Sequence, residues 1–245
     1  MSTPRQGRLI GVGTGPGDPE LLTLKAVRAL GEADVVAHFA KQGNGSNARA
    51  IVNGHINGGT IELPLLYPVT TEIDKAHPDY HCAITRFFDR SAGDVAKHLE
   101  AGRTVAVLSE GDPLFYGSYM HLHVRLAHRF DTEVIPGVTA MSGCWSTAGT
   151  PITQGDDVLS VLPGTLTEAE LVRRLADADA AVIMKVGRNL PKIRNALAAT
   201  GKLDRAVYVE RGTMANGRTV RFAERDDAPA PYFSIVLVPG WSGRP

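Results

Sequence analysis

Three glycine-rich stretches hold the residues of this chain best suited to chemistry: Gly11-Val-Gly-Thr-Gly-Pro-Gly-Asp18, Glu110 to Gly117, and Pro136 to Gly143. Glycine adopts positive φ without a clash and lets backbone amides come close to a ligand. Each stretch follows a short apolar run that reads as a strand. In an open α/β sheet, ligands sit outside the carboxyl ends of the strands. The three stretches together therefore predict one binding cleft made of turns.

A dinucleotide fingerprint is the obvious alternative for the first turn, and it fits badly. Pro16 interrupts the motif and removes an amide, Pro19 removes another, and the second strand offers His38 where a ribose-binding acid belongs. A metal centre has less support still. His121 and His123 lie two apart on an expected helix and do not share a face, while His77 and His81 can share one but lack a further ligand. Cys82 and Cys144 are far apart without a metal-type spacing, and read as free thiols of a reducing compartment. No metal is expected.

The elements that must position these turns alternate regularly. Strands are expected at Arg8–Val12, Ala33–Phe39, Thr60–Leu63, Thr104–Leu108 and Glu133–Ile135. Helices are expected at Pro19–Leu30 with Gly31 as its stop, near Asn47–Asn53, over Thr71–Ala101 with a bend near Pro78, at Leu114–Arg129 and at Val138–Thr147. Such alternation implies a mainly parallel sheet with helices on both faces. After Pro151 the pattern changes. Strands at Val158–Leu162, Ala180–Lys185 and Ala206–Glu210 are separated by helices at Glu168–Leu175 and Leu190–Ala199. Two last strands, Arg218–Ala223 and Tyr232–Val238, have no helix between them. That predicts an antiparallel pair and a mixed sheet. The fold class is thus α/β with two α/β domains, a mainly parallel one over residues 1–150 and a mixed one over 151–245, the boundary lying near 150–155.

Bulk properties narrow the function classes. Hydrophobic residues make up 43% of the 245 and charged ones 21%, an ordinary globular balance. Lys plus Arg number 26 and Asp plus Glu 26. Zero net charge and the lack of a basic stripe argue against a nucleic-acid partner. The first residues lack a secretory apolar region, and no apolar run approaches the ~20 residues of a membrane span, so a cytoplasmic, membrane-free protein is expected.

Long segments also carry a resemblance. Val12-Gly-Thr-Gly-Pro-Gly-Asp-Pro-Glu-Leu-Leu-Thr-Leu-Lys25, Ser109-Glu-Gly-Asp-Pro-Leu-Phe-Tyr-Gly117 and Val134-Ile-Pro-Gly-Val-Thr-Ala-Met-Ser-Gly143 resemble, in order and spacing, three signatures of the tetrapyrrole (corrin/porphyrin) methylase family. Leu65-Leu-Tyr-Pro-Val-Thr-Thr71 and Val182-Ile-Met-Lys-Val-Gly-Arg188 look like its branch acting at C20 of precorrin-2 to give precorrin-3A, with cobalt-factor II as the alternative substrate. The resemblance implies S-adenosylmethionine as methyl donor, two α/β domains with the active site in the cleft between them, and a homodimer. It places Pro16, Glu110, Gly111, Asp112, Phe115, Thr139 and Ala140 about the cofactor, with Met184 and Gly212 at its adenine. Where the family often has Gly-Gly-Asp, this chain has Glu110-Gly-Asp.

Substrate carboxylates call for cations, and Lys185 and Arg188 at a strand exit suit them, with Tyr116 beside the ring. Arg86, Arg90, Arg125 and Arg129 read as solvated helix faces. His38, Glu110 and Tyr116 are candidates for a proton-accepting base, but no catalytic residue is assigned. An RNA methyltransferase of related fold and a non-catalytic tetrapyrrole binder are the other classes considered.

Overall fold

The computed structural model describes residues 7–68 and 78–240. They form two compact units that divide between Thr139 and Ala140.

The first unit is built on five parallel strands: β1 (Arg8–Gly13), β2 (Val35–Lys41), β3 (Ile61–Tyr67), β4 (Thr104–Ser109) and β5 (Asp131–Ile135), in the order β3-β2-β4-β1-β5. β4 is buried at every residue and β1 at all but its first, as expected for strands covered on both faces. One face packs α3 (Pro78–Glu100) and α4 (Tyr119–Leu126) through Phe87, Phe88, Val95, Leu99, Leu122 and Leu126. The other packs α1 (Leu24–Glu32) and α2 (Asn47–Ile51) through Ala26, Leu30, Ala48 and the alternate strand residues Ile10, Val12, Ala106 and Leu108. Pro64 interrupts no ladder partner beyond it, because β3 is the sheet edge.

Two helices differ from expectation. Pro19–Leu30 is not one helix. Asp18 caps a single 3-10 turn at Pro19–Leu21, and Thr23 then accepts the Ala26 amide and starts α1 afresh. Leu24, placed on the apolar face by periodicity, is 84% exposed, and Gly31 lies inside the helix. Each such cap is worth ~1 kcal/mol, enough to set where a helix begins. Leu114–Arg129 shortens to α4, because residues 112–118 form a tight turn with Tyr116 at φ 56°. The expected helical start at 71–77, with His77, lies outside the described residues.

The second unit holds α5 (Ala140–Thr147), β6 (Leu159–Pro163), α6 (Glu168–Ala176), β7 (Ala180–Met184), α7 (Leu190–Ala199), β8 (Val207–Glu210), β9 (Arg218–Arg221) and β10 (Ser234–Val238). The sheet order is β6-β7-β10-β8-β9, with β6 parallel to β7 and every other pairing antiparallel. A mixed sheet was expected, but not this pairing: β9 and β10 are not neighbours. They flank β8 on either side, and β10 slots between β7 and β8. Alternation sorts the strand residues. Ala181, Ile183, Tyr208 and Val236 face α6 and α7, while Ala180, Val182, Val209 and Ile235 face α5.

α5 explains why the units divide one helix earlier than the 150–155 boundary. Met141, Cys144, Trp145 and Ala148 follow helical spacing and pack on the second sheet. Among the described residues no helix is long and apolar enough to cross a membrane.

Candidate cofactor site

The three glycine turns leave three neighbouring strands, β4, β1 and β5, at their carboxyl ends. That adjacency brings the turns into contact. The Gly111 amide donates to the Gly15 carbonyl at 2.8 Å, and the Gly15 amide returns to the Gly111 carbonyl at 3.3 Å. Thr14, fully buried, donates both its amide (2.9 Å) and its hydroxyl (3.2 Å) to the Ser109 carbonyl.

The third turn closes the set. A Cβ added to Gly13 would stand 2.5 Å from the Gly137 nitrogen, and one on Gly137 would stand 2.1 Å from the Gly111 oxygen. Only backbone fits there. Gly111 itself has φ 64°, a conformation side chains resist. Asp112 fastens two turns with one carboxylate, accepting the Leu114 amide at 2.9 Å and the Gly137 amide at 3.2 Å. The result is a rigid backbone platform.

Pro16, Glu110, Gly111, Asp112, Phe115, Tyr116 and Thr139 all lie on these turns of the first unit. Phe115 and Tyr116 rings meet edge to face at 4.9 Å. Desolvation by the surrounding protein raises the Glu110 carboxyl above its ordinary range, opposed by the backbone amides of Glu110 and Ala48. The Ala48 amide is a partner the sequence did not suggest, since nothing local links α2 to the β4 turn.

In the second unit, β7 and β8 both pair with β10, so their exits flank Ser234. Met184 ends β7 and Lys185 follows with φ 54°. Arg211 follows β8 with φ 49° and precedes Gly212. Backbone strain of this kind collects at functional sites, and here every non-glycine positive φ among the described residues falls at a strand exit or on the turn after one. Ala140 opens α5, and Arg188 sits exposed on the 3-10 turn Gly187–Asn189.

Gly212 has a packing role beside the expected ligand role. A Cβ there would lie 2.7 Å from Cys144 Sγ, and the Gly212 amide donates to that sulfur. Burial pushes the Cys144 thiol up to about 11, whereas Cys82 is exposed. An alkylating reagent at about pH 8 is therefore expected to label Cys82 and spare Cys144 until denaturant is added, because the thiolate is the reactive form. Peptide mass spectrometry checks this. Equal labelling of both thiols in the native protein would mean that α5 is not packed as described.

One base candidate leaves the site. His38 is mid-strand in β2 rather than at an exit, and its Nε2 lies 3.4 Å from Glu62 Oε2, a carboxylate also held by Arg49. Burial lowers the His38 ring below its ordinary value, with Glu62 opposing. It belongs to a sheet-edge ion cluster, not to the turns. His121 stacks on Phe88 at 3.9 Å, and His123 hydrogen-bonds the Tyr119 hydroxyl at 3.2 Å. Arg125 pairs with Asp89 and Arg129 with Glu100.

Comparison with known proteins agrees with this geometry. Residues 8–226 match the family model described as Tetrapyrrole (Corrin/Porphyrin) Methylases. A Sinorhizobium protein named precorrin-2 C(20)-methyltransferase is 71% identical over 100% of both chains. The cobalt-precorrin-2 C(20)-methyltransferase of Salmonella typhimurium is 29% identical over 95% of this chain and 96% of that one. A solved Thermus thermophilus uroporphyrin-III C-methyl transferase, complexed with S-adenyl homocysteine, shares the fold at TM-score 0.67 and 24% identity, covering 95% of this chain and 92% of that one. Two α/β units, the linked glycine turns and a family match over most of its length place this chain among the tetrapyrrole (corrin/porphyrin) methylases.

Proposed function

We propose that this chain transfers a methyl group from S-adenosylmethionine to C20 of precorrin-2, giving precorrin-3A. The observation that carries the reading is the platform of Gly13, Gly111 and Gly137: a Cβ on Gly13 or Gly137 would collide with backbone of the neighbouring turn, and Gly111 holds φ 64°. The 71% identical relative supports the substrate. The platform suits the donor: where its turns meet, at Gly13, Gly111 and Gly137, there is only backbone, as close approach to a ligand requires. Pro16, Glu110, Gly111, Asp112, Phe115, Thr139 and Ala140 would hold the cofactor, with Met184 and Gly212 at the adenine.

When bound, S-adenosylmethionine would supply an electrophilic methyl on a sulfonium, its carbon–sulfur bond giving way as the ring carbon takes the methyl and sheds a proton. The chain's task is alignment. Fixing donor and acceptor in line can supply up to ~7–11 kcal/mol. A turn platform fastened by Asp112 and Thr14 serves that end, since their hydrogen bonds between neighbouring segments oppose its rearrangement. Lys185 and Arg188 would pair with substrate carboxylates, and Tyr116 would bear on the macrocycle. No residue is assigned as base. A homodimer in the cytoplasm completes the proposal.

The test is an anaerobic incubation with S-adenosylmethionine and either precorrin-2 or cobalt-factor II, followed by mass spectrometry. One methyl added to precorrin-2 at C20 is the expected result. Transfer to the cobalt form alone would keep the chemistry and change the substrate. No transfer to either, with the cofactor bound, would overturn the substrate assignment.

A further inference from the structure

We propose that Tyr67 and Ser118 act as a positioning pair that sets how Tyr116 is presented to the macrocycle, so that the end of β3 governs substrate recognition from outside the turn platform. The inference rests on the reading of Tyr116 as a substrate contact. Tyr67 is the last residue of β3, and its ring is wedged against Phe87, with centroids 4.5 Å apart, and near Phe39 (5.8 Å) and Phe88 (6.1 Å). Three aromatic neighbours pack against that half-buried ring. Its hydroxyl is hydrogen-bonded to the Ser118 hydroxyl.

Ser118 stands at the N-cap position of α4, where serine usually turns its oxygen onto the helix amides. Here it makes no such bond. Its hydroxyl is directed sideways to Tyr67. Two residues earlier, Tyr116 holds φ 56°, left-handed backbone that a tyrosine keeps only when its surroundings impose it.

The turn is fastened on both sides of that residue. On one side Asp112 binds the Leu114 amide and the third glycine turn. On the other, Gly117 is pressed on Ser109, where a Cβ would meet Oγ at 2.6 Å, and Ser118 is tied to Tyr67. Between these anchors Tyr116 stays 47% exposed, its ring set by the edge of Phe115. Loss of the Tyr67 hydroxyl removes the Ser118 tie, leaves only the Gly117 contact on that side and allows Tyr116 to relax, while the platform keeps its own bonds.

Steady-state kinetics on the full chain with precorrin-2, beside calorimetric S-adenosylmethionine binding and thermal melting, test the pair. Tyr67→Phe keeps the ring packing and is expected to raise KM for precorrin-2 about five- to tenfold, with cofactor affinity within about twofold of the unaltered enzyme. Ser118→Ala is expected to do the same, the double variant to be no worse than either single one, and Ser118→Thr to restore the original KM. An unchanged KM in both single variants would overturn the inference, as would a matching loss of cofactor affinity or fully additive effects. Tyr116→Ala separates the two layers. A raised KM there with no effect of Tyr67→Phe sinks only the positioning role. An unchanged KM in Tyr116→Ala, or no turnover by the unaltered enzyme, sinks the underlying reading and this inference with it.

Discussion

Gly137→Ala is expected to cut S-adenosylmethionine affinity at least ~100-fold and to lower the melting midpoint by about 5–10 °C. The added methyl would sit 2.1 Å from the Gly111 oxygen, and that carbonyl can retreat only by giving up the Gly15 amide it accepts. Either the third turn moves away from the platform or the bridge between the first two breaks, and both outcomes deform the surface offered to the cofactor. Overpacking of this kind costs ~1–3 kcal/mol, which in a chain of this size means a few degrees per kcal/mol. Gly31→Ala is the matched control. That glycine lies in α1 with open space about it, so alanine there should be neutral or slightly stabilising. Calorimetric titration and a melting curve on both variants check the contrast. Normal cofactor binding by Gly137→Ala would mean that the three turns do not form one platform.

Asp112→Ala is expected to have the second largest effect, a loss of cofactor affinity of about 10–100-fold. Its carboxylate is the common acceptor for the Leu114 and Gly137 amides, so alanine deprives both of that partner. An amide left unpaired costs ~1–3 kcal/mol where water does not reach it, and less where it does. Asp112→Asn keeps one acceptor oxygen and should fall between alanine and the original. Equal binding by the alanine variant and the unaltered chain would reduce Asp112 to a local cap of Leu114. A graded series from aspartate through asparagine to alanine would instead support its role as the fastening between turns.

What could be read in advance follows the range of the interactions. α7 spans Leu190–Ala199 as its spacing predicts, and the three turns announced themselves because glycine after an apolar run is a local signal. Features that depend on distant partners were not legible. Thr23 restarts a helix inside an unbroken apolar period, which periodicity alone cannot separate from a continuous one. β10 takes its place through pairing with β7 and β8, decided by register rather than by its nearness to β9. Gly212 looks like any strand-exit glycine until Cys144 is seen against it. His38 was misplaced because β2 runs on to Lys41, which puts the imidazole in the middle of the strand. Within the site, Thr14 and Tyr67 lay inside resemblance motifs without a role of their own and Ser118 lay outside them, since common polar residues gain meaning only from what they touch.

The seat of β10 has a consequence for synthesis of the protein. Ribosomes release chains from the amino end, and domains usually acquire structure in that order. The first unit has all its strands once β5 has emerged, and can close its sheet while the rest is still being translated. The second unit has no such freedom. Until residues 234–238 arrive, β7 and β8 have nothing between them, and β6–β7 and β8–β9 remain two separate ribbons with open edges. Unpaired edges of that sort invite association with other nascent chains. β10 thus acts as a latch, and until it closes the facing edges of β7 and β8 stay open to misassembly.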